Sequence, residues 1–201
     1  MDLLDEAYPG LTAGVNHFIQ QFIAAPETVP ILQGPPGTGK TRLVRAILAA
    51  LSKRKGDSAR VLYTSDKRTL ETDEIFVEFL TGEHDAFGVE DADHLLGARH
   101  SGNVDLHRFL TVADGVVRAQ GRKIIFTTNL PNVGDIDEAL VRPGRCFAVL
   151  RMRPLAIDEA LRLIARLVPE EGAAAATAHA LPAGVPAVTL AEVFSAIRDG
   201  E

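Results

Sequence analysis

Residues 34–41 of the chain read GPPGTGKT and fit the pattern G-x-x-x-x-G-K-[ST], which constrains the fold more than any other stretch. The apolar run from Val29 to Gln33 precedes this segment and predicts a buried strand. The pattern that follows puts Leu43, Ile47 and Leu51 on one face and predicts a helix. A loop of this kind between a strand and a helix points backbone N–H groups at an anion, at the positive end of the helix. The sequence therefore predicts a phosphate-binding loop.

The residue types of the loop suit a nucleoside triphosphate. Glycine at positions 34, 37 and 39 leaves room for phosphate oxygens next to the backbone. Lys40 is expected to place its ammonium against the outer phosphates, and Thr41 to offer its hydroxyl to Mg²⁺. We predict ATP and Mg²⁺ as cofactors, with nucleotide contacts from Gly34, Pro35, Pro36, Gly37, Thr38, Gly39, Lys40, Thr41 and Arg42. The alternative is a Gly/Pro-rich turn with a chance lysine.

Strands alternate with helices along the remaining chain. Apolar periodicity predicts an opening helix whose buried face carries Val15, Phe18, Ile19, Phe22 and Ile23. It also predicts strands at 60–65, 86–89, 123–128 and 146–152, and helices at 73–80 and 106–116. This alternation implies an α/β fold with a parallel five-stranded sheet between helical layers.

The pattern changes after Pro154. We expect a helix over 156–168, a loose connection rich in Ala, Gly and Pro over 172–188, and a last helix opened by Thr189, with Glu192 at capping-box spacing. The chain is therefore predicted to consist of a nucleotide-binding core, 1–154, and a small C-terminal helical lid, 155–201.

Acidic residues follow the predicted strand at 86–89. Phosphoryl transfer needs a carboxylate for the metal at the tip of a neighbouring strand, and a second carboxylate commonly orients the attacking water. We assign Glu90 to the metal, together with Thr41, and Asp91 to the water. The usual order in such enzymes is Asp then Glu, and here it is reversed. The alternative is a helix start decorated with acids.

Two later segments resemble the AAA family of P-loop ATPases. Residues 124–130 read IIFTTNL, similar to the family's polar sensor, and residues 135–145 read DIDEALVRPGR, similar to its arginine segment. The resemblance implies that Asn129 senses nucleotide and that Arg142 and Arg145 reach the γ-phosphate of a neighbouring copy. It thus implies a homo-oligomeric ring, hexameric by analogy. The predicted catalytic residues are Lys40, Glu90, Asp91, Asn129, Arg142 and Arg145. The alternative for the two arginines is solvated loop charge.

Within the family, residues 61–95 and the segment FLTVADGV (109–116) are similar to Bcs-type AAA ATPases, including the Glu-Asp order. We expect neither their membrane anchor nor their middle domain. Unfoldase-type members carry an aromatic loop after the second strand, whereas residues 66–70 here contain no aromatic. Lys67 with Arg68, and Arg99 with His100, are candidate pore-facing pairs, and simple loop charge is the alternative for both.

Composition narrows the class of function. The net charge is −6, so nucleic acid is possible but not indicated as a partner. Cys146 is the only cysteine, and no apolar run is long enough to cross a bilayer, so we expect a cytoplasmic ATPase without a membrane partner. We predict a ring that uses ATP turnover to remodel or translocate a macromolecule, with substrate and adaptor open. The alternatives are a nucleotide-gated module with little turnover and a replication accessory ATPase of the helicase- or clamp-loader type.

Overall fold

The computed structural model of the protein describes residues 3–72, 74–97 and 121–199. The helices in these ranges are α1 (Val15–Ala24), α2 (Lys40–Arg54), α3 (Lys67–Leu70), α4 (Glu74–Thr81), α5 (Asp93–Leu96), α6 (Ile157–Leu167), α7 (Glu171–His179) and α8 (Leu190–Asp199). The strands are β1 (Val29–Gln33), β2 (Val61–Thr64), β3 (Ala86–Val89), β4 (Lys123–Thr128), β5 (Cys146–Arg151), β6 (Leu155–Ala156) and β7 (Ala187–Val188). The helix predicted over 106–116 and the pair Arg99 and His100 lie outside the described residues.

Five parallel strands form one sheet in the order β2-β3-β4-β1-β5. This arrangement confirms the predicted sheet and its α/β class. Central β1 pairs with β4 on one side and β5 on the other, and all of its residues are buried. Such continuous burial is typical of parallel strands with helices on both faces. All carboxyl ends of the strands therefore meet at one edge of the sheet.

Two apolar clusters cover the two faces of this sheet. Successive strand residues point to opposite faces, and accordingly Ile31 belongs to one cluster and Leu32 to the other. The cluster around Leu32 contains α1, α2, α6 and α8, and the cluster around Ile31 contains α4 and α5. The predicted buried face of α1 is confirmed, since Val15, Phe18, Ile19, Phe22 and Ile23 are all buried.

The C-terminal segment contains more regular structure than its composition indicates. The loose connection predicted over 172–188 is wrong, because α7 spans Glu171–His179 and β7 pairs antiparallel with β6. Alanine has the highest intrinsic helix propensity, and it forms the run 173–176 at the centre of α7. Thr177 supports the helix by donating from Oγ1 to the Ala173 carbonyl at 2.9 Å.

The predicted capping box of α8 is confirmed. The Glu192 amide donates to Thr189 Oγ1 at 3.2 Å, and the Thr189 amide donates to Glu192 Oε2 at 2.6 Å. Leu190 and Val193 of this helix belong to the same buried cluster as Leu43 of α2. The division of the chain at 154/155 stays a prediction. No helix among the described residues is both long and apolar enough to span a membrane.

Candidate active site

The predicted loop joins the carboxyl end of β1 to the start of α2. Gly34 follows β1 directly, and a Cβ at this position would overlap the Met152 carbonyl oxygen. Gly39 has φ 90°, in the left-handed region that favours glycine, and a Cβ there would lie 2.7 Å from Leu190 Cδ2. These glycines are therefore required for two reasons: the backbone follows a path that a side chain would obstruct, and a ligand needs the space beside it.

Lys40 lies at the centre of the site and is almost fully buried. Its Nζ donates to the carbonyls of Gly34 at 2.7 Å and Pro35 at 3.0 Å, and to Asn129 Oδ1 at 2.7 Å. Burial lowers the pKa of Lys40, while the nearby carboxylates, led by Asp91, act in the opposite direction. All three hydrogens of the ammonium have partners.

The two residues predicted to hold Mg²⁺ lie together. Thr41 Oγ1 donates to Glu90 Oε2 at 2.9 Å. Glu90 comes directly after β3, and its amide extends the strand pairing by donating to the Thr64 carbonyl at 2.9 Å. Glu90 Oε1 is buried and has no partner in hydrogen-bond geometry among the described residues. An uncompensated carboxylate oxygen beside a threonine hydroxyl fits an oxygen-ligated cation such as Mg²⁺.

Asp91 differs from Glu90 in backbone and exposure. Its φ of 49° lies in the left-handed region, and its amide donates to Thr127 Oγ1 at 3.0 Å. This turn exposes Asp91 to the cleft, where its carboxylate accepts from Asn129 Nδ2 at 3.0 Å. Left-handed backbone at a non-glycine residue costs about 1–3 kcal/mol, so the surrounding structure must fix it.

Asn129 connects the lysine to the acids. Its Oδ1 accepts from Lys40, its Nδ2 donates to Asp91, and its backbone amide donates to Asp93 Oδ1 at 2.7 Å. Thr128 Oγ1 donates to the same Asp93 oxygen. Asp93 therefore supports Asn129, the predicted sensor, a contact that sequence reasoning missed. The only signal was a third acid two residues beyond Asp91.

The N-terminal segment and the last helix also reach the loop. Tyr8 Oη donates to the Gly39 carbonyl at 3.3 Å, and the Ala191 amide donates to the Gly37 carbonyl at 3.0 Å. Burial raises the pKa of Tyr8 to about 12. Both contacts join residues far apart in the chain, and no sequence pattern identified them.

These elements enclose a cleft of about 720 Å³. The Arg42 guanidinium stacks on the Phe194 ring at 4.2 Å and links α2 to α8. The described lining residues include Gly37, Gly39, Lys40, Thr41, Asp91 and Asn129, and also Arg45, Leu190, Ala191 and Phe194, which sequence reasoning missed.

The two predicted arginines lie elsewhere. The Arg145 carbonyl accepts from the amides of Thr28 and Val29 at 3.3 Å each, at the amino end of β1. The loop follows the other end of this five-residue strand, roughly 16 Å away at ~3.3 Å per residue. Arg145 Nη1 donates to the Ala139 carbonyl, and Arg142 is exposed, 3.7 Å from Glu138 Oε1. Neither arginine is among the described residues that line the cleft of its own chain.

Known proteins share this combination of features. A family model described as "ATPase family associated with various cellular activities (AAA)" matches residues 30–154. The chain is 30% identical over 206 residues to the 26S proteasome regulatory subunit 7 homolog of Schizosaccharomyces pombe, covering 86% of this chain and 45% of that protein. It is 36% identical over 146 residues to the 26S proteasome regulatory subunit 10B of Dictyostelium discoideum, covering 64% and 35%. It is 31% identical over 130 residues to the proteasome-activating nucleotidase of Pyrococcus furiosus, covering 57% and 31%.

The chain spans less than half the length of each of these relatives. The family match nevertheless covers more than half of its 201 residues, including the phosphate loop, the acidic strand end, the sensor and the arginine segment. The chain belongs to the AAA family of ATPases.

Proposed function

We propose that this protein assembles into a homo-oligomeric ring, hydrolyses ATP at the junctions between copies, and uses the turnover to remodel or translocate a macromolecular partner. One observation supports the ring most strongly. The groups suited to hold ATP lie at the carboxyl edge of the sheet, whereas Arg145 lies at the amino edge, about the length of β1 away. A guanidinium so placed can contact a γ-phosphate only on another copy.

Each residue of the cleft has a chemical role in this proposal. Lys40 contacts the outer phosphates, and Thr41 with Glu90 holds Mg²⁺, which when bound offsets the charge that develops on the phosphoryl oxygens. Asp91 orients a water and accepts its proton as the water oxygen bonds the γ-phosphorus and the bond from this phosphorus to the bridging oxygen of ADP breaks. The products are ADP and inorganic phosphate. Asn129 fixes the positions of the Asp91 and Lys40 side chains relative to each other, since it is hydrogen-bonded to both.

The class of partner follows from the relatives. They are named as proteasome subunits or as a proteasome-activating nucleotidase, which favours a protein partner over nucleic acid. In the stretch 66–70, which corresponds to the aromatic loop of unfoldase-type members, residues 67–70 form the short helix α3 with exposed Lys67 and Arg68. We propose that these cations contact an acidic segment of the partner.

Several finer features stay predictions. They are the number of six subunits, the cytoplasmic location, the likeness to Bcs-type members, and the assignment of the individual catalytic residues. The Bcs-type likeness rests on the Glu90–Asp91 order and on residues 61–95. That order also keeps a second candidate function open, a nucleotide-gated assembly module with little turnover, because the shorter arm of Asp91 stands where the water-orienting glutamate is usual.

A mixed-ring experiment tests the proposal. Arg145→Ala keeps an intact cleft, and Asp91→Asn keeps an intact arginine, so each variant alone should be nearly inactive. In an equal mixture about a quarter of the junctions combine an intact cleft with an intact arginine. We expect ATP turnover in the mixture to reach about a quarter of the wild-type rate, measured as phosphate release.

The matched control pairs Arg145→Ala with the double variant Asp91→Asn/Arg145→Ala, where no junction is complete. Equal activity in the two mixtures would contradict a shared site, and so would full activity of Arg145→Ala alone. Wild-type protein that binds ATP and assembles without releasing phosphate would favour the nucleotide-gated module.

A further inference from the structure

The Tyr63 side chain on β2 extends over β3, because the residue opposite it on β3 is a glycine and has no side chain. The parallel register sets Tyr63 opposite Gly88. A Cβ on Gly88 would lie only 2.7 Å from Tyr63 Cδ2, so the ring occupies the space that any other residue would fill. The backbone at Gly88 needs no left-handed conformation. The glycine therefore serves close packing of the tyrosine ring.

The ring so placed lies on the same face of the sheet as Glu90. Side chains two residues apart in a strand share one face, which puts Glu90 on the face that the ring covers at Gly88. The strand pairing continues to Glu90, because its amide donates to the carbonyl of Thr64, the residue after Tyr63. Two residues along a strand span roughly 7 Å at ~3.3 Å per residue, a distance that a tyrosine side chain can bridge.

The Tyr63 hydroxyl lies close enough to Glu90 for the carboxylate to affect the tyrosine pKa. Burial raises the pKa of Tyr63 to about 12, and hydrogen bonding to Glu90 and the charge of this carboxylate add to the effect. Thr41 Oγ1 bonds Glu90 Oε2 at 2.9 Å, whereas the buried Oε1 has no partner in strict hydrogen-bond geometry among the described residues. Oε1 is therefore an open acceptor on the face that carries the tyrosine ring.

The reversed Glu-Asp order makes this contact important. Glutamate has one more side-chain torsion than aspartate, and a free arm loses more entropy when it is fixed in place. We propose that Tyr63 is a positioning residue that fixes the Glu90 carboxylate and thereby sets how strongly bound nucleotide is coupled to Mg²⁺. This inference rests on the proposed function, in which Glu90 belongs to the metal side of the cleft.

The test measures coupling between metal and nucleotide without turnover. The affinity of full-length protein for a non-hydrolysable ATP analogue is measured calorimetrically with Mg²⁺ and with a chelator, and the ratio of the two affinities is the readout. Tyr63→Phe removes only the hydroxyl and should lower the ratio about tenfold, the effect typical of groups that orient a metal ligand. The affinity in chelator should stay within about twofold of wild type.

A second variant and a control sharpen the result. Gly88→Ala keeps the hydroxyl but displaces the ring, and it should lower the ratio in the same direction. Val77→Ala, on exposed α4 surface where Val77 is 52% exposed, should leave the ratio unchanged. An unchanged ratio in both Tyr63→Phe and Gly88→Ala would overturn the proposal. An equal loss of affinity with and without metal would also overturn it, because this would indicate general loosening of the site.

The coupling test of Tyr63 and the mixed-ring test of the proposed function can fail independently of each other. If the mixed rings show no recovery while Tyr63→Phe lowers the ratio, the shared-site proposal fails and the positioning role stands. If the mixed rings recover while the ratio is unchanged, the ring proposal stands and the positioning role fails.

Discussion

The two edges of the parallel sheet each bury a lysine, and the two lysines have different partners. At the carboxyl edge, Lys40 contacts loop carbonyls and the Asn129 side chain, within a network that includes Asp91. At the amino edge, Lys123 Nζ donates to the carbonyls of Ala25 at 2.7 Å and Glu27 at 2.9 Å, at the end of α1. The first lysine is held among groups of a ligand site, whereas the second closes a helix end.

The contrast shows what each edge lacks. The cleft at the carboxyl edge brings together an ammonium, a hydroxyl, a carboxylate and an amide, but neither Arg142 nor Arg145 lines it. The amino edge carries the arginines, and Arg142 is 63% exposed there, 3.7 Å from Glu138 Oε1. In the proposed function, the groups that act on one nucleotide therefore come from opposite ends of the sheet in two neighbouring copies.

Lys40→Ala should affect both binding and turnover, because the ammonium contacts phosphates in the ground state and in the transition state. We expect kcat to fall about 10³-fold and nucleotide affinity about 10²-fold, so that kcat/KM falls about 10⁵-fold. Steady-state phosphate release and calorimetric titration measure the two quantities. Lys53→Ala, an exposed lysine in the last turn of the same helix, is the matched control and should behave as wild type. If Lys40→Ala still bound nucleotide with wild-type affinity, the assignment of the nucleotide site to the carboxyl edge would be wrong.

Arg145→Ala should affect turnover alone. The variant loses an arginine that stabilises the transition state from a neighbour, and kcat should fall about 10³-fold, while the affinity of the separate protomer for ATP stays within about twofold. Arg145→Lys should recover little, because an ammonium lacks the planar fork of a guanidinium. Arg145 also donates to the Ala139 carbonyl, so melting temperatures must accompany the assay. A loss of protomer affinity that matches the loss of turnover would contradict the division between edges.

Lys123→Met should change how stability depends on pH. Burial is the main cause that lowers the pKa of Lys123 to about 8 from an ordinary 10.5, and its side chain is buried over the Phe22 ring. Below pH 8 the folded state bears the cost of a buried ammonium. Between pH 8 and 10 the folded protein releases a proton that the unfolded chain keeps, so the free energy of unfolding rises with pH, by about 2 kcal/mol.

Urea unfolding at roughly pH 7.5 and 9.5 measures this rise, and the methionine variant should lose the Lys123 contribution. The variant keeps the contributions of Lys40, whose pKa burial also lowers, and of Cys146, whose pKa burial raises to about 11, so the difference between variant and wild type isolates Lys123. The neutral amine keeps two hydrogens for its two carbonyls, so the fold itself should persist. Above pH 10 the raised pKa values of Tyr8 and Tyr63 begin to oppose the gain, because the unfolded chain then ionises first. Equal pH dependence in wild type and variant would show that Lys123 is not the group responsible.

The sequence predicted the sheet and the loop well, and the reasons are physical. Continuous apolar runs such as Val29–Gln33 are readable because both faces of a central parallel strand are buried. The bonds of Asn129 to Lys40 and Asp93 were not predictable, since they depend on β3, β4 and β1 being neighbours, which requires the topology. Helix α7 was missed because its alanines carry no amphipathic pattern, only intrinsic propensity.

The full set of partners on Lys40 Nζ has an energetic consequence. The ammonium already donates to two carbonyls and one amide oxygen, so a triphosphate that accepts from it replaces at least one of these acceptors. Loading the site is then an exchange of acceptors and not a simple addition. Each bond given up offsets about 1 kcal/mol of what the ammonium gains on the phosphates, so the lysine adds less to ATP affinity than an unpartnered ammonium would.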